Sequence, residues 1–330
     1  MNYWSKLTAW LLLSLALCGV ALGQDQRLHS EAGLPFMGEH YAPWEYQQFP
    51  QNWSVTQDAN GMTYVANSDG ILQYDGVSWR LIPVGDSTFV RSLAADHQSN
   101  VVYAGLRDDF GYVAPDSTGT LEYVSLYENV PPQERGFKDV WGTHTTEEAT
   151  YFQTTHRLFR WDGSRLTLQK SEQGYHTSFV VRDQLYVRDF GRGLLRMGSD
   201  SLVQVPEGLY FEDTPIHVMV PWSDNKILIG TQRDGLLLYD DGEITPFPTQ
   251  ADPFLDEYVL YHGSLLSNGD IALSILGGGV LVIDQEGQLK RVLDTAAELP
   301  DDVINHTWAG ERGGLWMALN SKGVAYADLV

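Results

Sequence analysis

The chain has 330 residues, of which 43% are hydrophobic and 12% aromatic, with 32 Gly and one Cys. That is ample material for a core, so wholesale disorder is excluded. A net charge of −22 excludes nucleic acid as the main partner and disfavours an anionic membrane surface, since both need a basic face.

Residues 1–6 carry one Lys, and residues 7–23 carry no charge and end in Ala21-Leu22-Gly23. This pattern predicts a secretory signal peptide over 1–23, cut before Gln24, and therefore export to the periplasm. The remaining chain has no Cys, so neither a disulfide nor a thiolate site is expected, and no cofactor or metal is called for. Residues 24–41 read as a lead segment. Next comes Trp44-Glu45-Tyr46-Gln47-Gln48-Phe49, an alternating, strand-like stretch with no hairpin of its own.

From Trp53 a unit of four short strands begins. Trp53-Ser-Val-Thr-Gln-Asp58 and Met62-Thr-Tyr64-Val-Ala66 flank the turn Ala59-Asn60-Gly61. Ile71-Leu-Gln-Tyr74 and Val77-Ser-Trp79-Arg-Leu-Ile82 flank Asp75-Gly76. Apolar alternation broken by Asn/Asp-Gly turns is the mark of consecutive hairpins. The step into the third strand recurs at positions 70, 111, 157, 193, 235, 279 and 323, at a mean spacing of about 42 residues. Four strands in that period predict an all-β, seven-bladed propeller. The blades fall at about 52–83, 89–126, 137–168, 176–205, 216–247, 260–292 and 303–328. The last has only three strands of its own, so an N-terminal strand, placed at about 44–49, is expected to close the ring within a propeller domain over 42–330.

The residues of blade 1, Trp53-Ser-Val-Thr-Gln-Asp58-Ala-Asn-Gly61-Met-Thr-Tyr64 with Gly70-Ile-Leu-Gln-Tyr74-Asp75-Gly76, resemble the two-component regulator propeller repeat. Gly313-Gly314-Leu315-Trp316-Met317-Ala318 and Gly323-Val324 in blade 7 are similar to it as well, as is the lead Gly33-Leu34-Pro35-Phe36. The resemblance implies the periplasmic ligand-binding part of a sensor or hybrid histidine kinase. It also implies that the signalling output domain lies outside this chain, reached through a change in propeller packing or in dimer geometry. Blades 3 and 4 match the repeat weakly.

Loops between second and third strands share one rim with the links between blades. In this acidic chain those loops hold Arg107, Arg157, Arg192, Arg233 and Lys322, a cationic set suited to a carboxylate, sulfate or uronate. Asp108, Asp109, Asp189 and Asp234 lie beside them and offer local neutralisation instead. His176, His217, His262 and His306 stand at or near the start of the innermost strand in blades 4 to 7, with Tyr261 adjacent, and are expected at the channel mouth as hydrogen-bonding groups. Trp53, Tyr258, Tyr261 and Trp308 are the aromatics expected near the same rim. The acidic pairs Asp108-Asp109, Glu147-Glu148, Asp240-Asp241 and Asp301-Asp302 sit in turns and read as solvated. No hydrolase, metalloprotease, kinase or nucleotide-binding motif is present. The expectation is a non-enzymatic sensor for a small molecule or oligosaccharide, anionic ligands included. A stand-alone periplasmic hydrolase or lyase and a protein-binding scaffold are the alternatives.

Overall fold

In the computed structural model, residues 38–85, 89–310 and 313–329 are described; the expected signal peptide and most of the lead segment lie outside them. Seven antiparallel four-stranded sheets follow one another in chain order. Six are built from four consecutive strands each, from Asn52–Gln57 in blade 1 to Leu289–Leu293 in blade 6. The seventh sheet joins Ile304–Ala309, Gly314–Leu319 and Val324–Asp328 to an N-terminal strand. The chain is a seven-bladed propeller closed by its own N-terminus.

The closing strand is Gly38–Tyr41, not residues 44–49, so the propeller begins upstream of residue 42. Gly38 pairs with Ala327 and Tyr41 with Val324. The alternating stretch downstream is pulled out of extended geometry by its neighbours. Pro43 is pre-set for a first helical turn, and Glu45 Oε1 accepts from the Ala42 N–H at 2.7 Å. Residues Pro43–Tyr46 accordingly form one helical turn, ended by Gln47 in the left-handed region at φ 57°.

The repeated glycine at the head of the third strand has a steric cause. A Cβ at Gly111 would lie 2.1 Å from Val124 O, and one at Gly279 would lie 2.0 Å from Leu293 O, in each case a carbonyl of the fourth strand. At Gly323, with φ +99°, the carbonyl is Tyr41 O at 2.2 Å. The closing strand therefore stands where every other blade has its fourth strand. Gly323→Ala is expected to destabilise the protein by at least about 2 kcal/mol, through a disfavoured φ and a backbone clash. Chemical denaturation against wild type checks this, and an unchanged midpoint would contradict the seam geometry.

Blade faces pack through apolar side chains. Leu228, Leu236, Leu260, Ile271, Leu273, Ile275 and Leu281 form one cluster between blades 5 and 6, and Val280, Leu315, Met317 and Ala325 belong to another between blades 6 and 7. Near the axis the inner strands are stitched by polar groups. Ser92 Oγ donates to Val140 O at 2.9 Å, Thr177 Oγ1 to Ile216 O at 2.9 Å, and Ser264 Oγ to Thr307 O at 2.8 Å. Across the closure, the buried Asn52 donates from Nδ2 to Gly323 O at 2.8 Å and accepts from Asn67 Nδ2 at 2.8 Å. Burying amides at this density is tolerable only because each has its partners.

Candidate functional site

The innermost strands share one irregularity, and it builds the channel mouth. In six blades the pairing of the first strand with the second skips one residue near its start: Trp53, Arg91, His176, His217, Tyr261 and Asn305. In blade 3 the same place belongs to Trp141, whose N–H reaches Gln153 O at 2.8 Å just before the pairing begins at Gly142. A bulge leaves its residue outside the ladder and re-aims the side chain. Here all seven side chains line one axial cavity of about 300 Å³.

Three of them form a cationic sector. The Arg91 guanidinium lies 4.2 Å from the Trp53 ring centre and 5.2 Å from those of Phe89 and Trp141. Its Nε is 2.8 Å from Asp139 Oδ1. Aromatic faces and a bidentate-capable cation fix each other's orientation. On the opposite side the His176 and His217 rings meet edge-on at 5.2 Å, and the Tyr261 ring is 6.4 Å from His217.

Below the ring lie His144, His262 and His306, also in the cavity wall. His262 Nδ1 accepts from the Thr307 N–H at 3.3 Å, and His306 Nδ1 accepts from the Val55 N–H at 3.4 Å. Main-chain donors cannot be reversed, so both imidazoles carry their proton on Nε2 when neutral. Ser178 Oγ donates to Gln153 Oε1 and therefore receives the proton of His144 Nε2, 2.9 Å away. The His262 and His306 rings are only 4.0 Å apart. Burial lowers all five histidines: His144, His176, His217 and His262 to about 4, and His306 well below its usual value. Mutual repulsion adds to this at His176, His262 and His306. They are neutral donor–acceptors at pH 7.

Behind His176 and His217 sits Arg188, a fully buried guanidinium that depresses both. Its Nε donates to Phe211 O at 3.0 Å and its Nη2 to Glu212 O, while Phe190 covers it at 4.4 Å. Its Nη1 has no partner among the described residues.

The residues named from the loops separate into two groups. His176, His217, Tyr261, His262 and His306 converge on the cavity. The five loop cations do not line it. Arg157 is tied to Glu134 at 3.0 Å and Arg192 to Asp189 at 3.1 Å, so local neutralisation accounts for these two. Arg107, Arg233 and Lys322 are exposed and make no ion pair among the described residues. Trp308 lines a groove at the other end of the blades instead of this rim. Arg91, Trp141, His144 and Arg188 carry chemistry that the loop-by-loop reading passes over. Aligning the seven inner strands at the residue that leaves the ladder places Arg91 and Trp141 beside Trp53 and His176.

One property sets this cavity apart from the rest of the surface. The chain has 43 Asp and Glu residues, and none of those described lines the mouth, whereas Arg91 and five His do. Such a lining offers donors, with one carboxylate beside it, Asp139, already held on Arg91 Nε, and it suits an anionic or hydroxyl-rich guest of small size. Among the described residues no group of three or more His, Cys, Asp or Glu is arranged to hold a metal ion.

No family model and no curated protein matches the chain. Among solved structures it is similar to virginiamycin B lyase from Staphylococcus aureus, with a TM-score of 0.70 at 10% identity, covering 89% of this chain and 100% of that one. It is similar to the WD40 β-propeller domain of Doa1, with a TM-score of 0.66 at 14% identity over 91% and 97% of the two chains. It is also similar to the extracellular domain of a hybrid two-component system from B. thetaiotaomicron, with a TM-score of 0.66 at 16% identity over 89% of this chain and 42% of that one. The chain thus spans less than half the length of that extracellular domain. Identities this low show the shared propeller fold and nothing of the ligand.

Proposed function

We propose that this chain is the extracytoplasmic ligand-sensing propeller of a two-component-type signalling receptor, and that a small molecule or oligosaccharide, preferably anionic, enters the channel mouth. The supporting observation is that no described carboxylate lines the mouth, in a chain of net charge −22. Arg91, already oriented between aromatic rings, is the group that would meet an oxyanion. The likeness of the fold to extracellular domains of hybrid two-component systems and the signal-peptide pattern in residues 1–23 agree with this reading. Signal transmission requires a ligand that binds two packings of the blades unequally. The ring of stitched inner strands is where such a difference would be felt.

A thermal-shift screen of acidic and neutral oligosaccharides against wild type and Arg91→Ala tests the reading. An acidic compound should raise the melting temperature of wild type, and the variant should need roughly 10- to 100-fold more of it, the worth of a charge-assisted hydrogen bond. Flat melting curves with every acidic compound, or a shift that survives in Arg91→Ala, would remove the reading. The neutral imidazoles favour one other function. A buried neutral histidine whose Nε2–H is fixed as a donor can stabilise a developing oxyanion, and a propeller lyase is among the structural neighbours. Chemical conversion of a bound compound, abolished in His262→Gln or His306→Gln, would mark the protein as an enzyme.

A further inference from the structure

The 1–2 and 3–4 turns lie at the end of the blades opposite the channel mouth. There, between blade 7 and blade 1, opens a groove of about 470 Å³, larger than the mouth itself. Its walls are aromatic: Trp308, Trp316, Tyr326 and Tyr74, with Trp316 5.0 Å from Tyr326 and 6.1 Å from Tyr74, ring centre to ring centre. Two glycines make room for these rings. A Cβ at Gly314 would overlap the Tyr326 ring, and one at Gly310 would stand 3.1 Å from Trp308. The clusters between blades 5 and 6 and between blades 6 and 7 are mainly aliphatic. The seam between blades 2 and 3 is aromatic as well, around Phe110, Phe152 and Phe159, but at the closure the rings line an open groove.

The charge of this groove is the reverse of the mouth's. Asp58 and Asp75 line it, and among its described lining residues there is no Lys or Arg. Asp75 accepts from Val77 N at 2.8 Å, from Ser78 N at 2.7 Å and from Ser78 Oγ at 3.0 Å. These bonds hold its carboxyl below the usual range, so it is ionised at neutral pH. Asp58 Oδ1 is occupied by the Asn60 and Met62 N–H groups, but Oδ2 has only Tyr64 Oη at 3.5 Å. Several π faces beside carboxylates, with no Lys or Arg among the described lining residues, form the chemistry that recognises an organic ammonium ion. A neutral or anionic guest would forgo that attraction.

We propose that the groove between blades 7 and 1 binds an organic ammonium group, seated against Trp308 and Trp316 with Asp75 and Asp58 as its counter-charge. Because its walls come from the first and last blades, occupancy ties the ring at its closure. The site is independent of the sensor reading and of the channel mouth.

The test is isothermal titration of the purified protein at low ionic strength with choline, with its uncharged isostere 3,3-dimethylbutan-1-ol, and with cellobiose. Choline should bind, the neutral isostere should be about tenfold weaker or worse, and cellobiose should give no heat. Trp308→Ala should abolish choline binding and Trp308→Phe retain part of it. Asp75→Asn, an exposed change that keeps the turn's acceptor, should weaken choline several-fold without moving the melting temperature. Arg91→Ala should leave choline binding intact. Equal affinity for choline and its isostere would reduce the groove to an apolar slot. Cellobiose binding without choline would make it a sugar site, and no heat with any probe, or choline binding untouched by Trp308→Ala and Asp75→Asn, would overturn the proposal.

Discussion

A chain beginning at Ala42 is expected to melt at least about 10 °C below one beginning at Gly38, although the two differ by only four residues. Those residues are the fourth strand of blade 7. Removing them strips one face of hydrogen bonding from Val324–Asp328, at about 1 kcal/mol for each bond lost. It also removes Tyr41, buried against Trp316 at 5.7 Å, Trp79 at 5.3 Å and Tyr74 at 4.9 Å. Deleting a buried aromatic side chain costs about 3–5 kcal/mol by itself. The sum exceeds roughly 5 kcal/mol, a large share of a typical domain's stability. The exposed strand edge should also promote association, visible as larger species on size exclusion. The chain from Ala42 still contains the whole Trp44–Phe49 stretch, so the comparison separates the two possible closing segments. Equal melting temperatures would mean that Gly38–Tyr41 does not close the ring.

That experiment also marks where sequence reasoning reaches its limit. The seven repeats and the need for an N-terminal closing strand are legible, because hairpin turns and the third-strand glycine answer to local sterics that recur in most blades. The placement of the closing strand is not legible from alternation alone. Trp44-Glu45-Tyr46 alternates as a strand should, but Pro43, the Ala42–Glu45 cap and the left-handed Gln47 override it. Gly38-Glu-His-Tyr41 has little apolar signal because three of its four residues are exposed, and only the register against Val324–Asp328 identifies it. The candidate site was half visible for a related reason. A one-residue bulge turns His176 and His217 toward the channel, and His262 and His306 follow the skipped Tyr261 and Asn305, so the histidines of blades 4 to 7 could be found by their chemistry. Arg91 and Trp141 occupy the same column with a different residue type. Arg188 and His144 depend on contacts between blades, which no local pattern encodes. The loop cations went the other way: charge and position in the chain grouped them, while Glu134 and Asp189 engage two of them within the fold.

Acid should destabilise the protein well above the range in which carboxylates titrate. Five neutral histidines share the channel wall, and burial keeps four of them at about 4 and His306 lower still. In the unfolded chain each has its ordinary value near 6.5. As pH falls below about 6.5 the unfolded state takes up protons that the folded state refuses, so stability declines through that window and levels off near pH 4 as far as these groups are concerned. The limiting slope is about 1.4 kcal/mol per pH unit for each fully shifted histidine. The cations facing the cluster are Arg188, which lowers His176 and His217, and Arg91 in the mouth. Asp139 is engaged by Arg91. No described carboxylate lines the cavity; only hydrogen bonding to Ser178 at His144 and to Tyr261 at His217 favours imidazolium, less than burial opposes it, and two rings at 4.0 Å cannot both charge cheaply. Carboxylates act in a separate window. Glu134, Asp116 and Asp162 are held below their usual values, so the stability they lend disappears only at lower pH. Between pH 7.5 and 4.5 two fully shifted histidines alone cost on the order of 5 kcal/mol, or roughly 10 °C in melting temperature. His144→Gln combined with His306→Gln should flatten this decline while leaving the fall below pH 4 in place. An anion held in the mouth would favour the charged imidazoles and oppose the loss, so the same melts with an acidic ligand should converge on the neutral-pH value. A wild-type melting temperature constant from pH 7.5 to 4.5 would show that the wall histidines are not buried as neutral groups, and would take with it the electrostatic case for an uncharged, donor-rich channel.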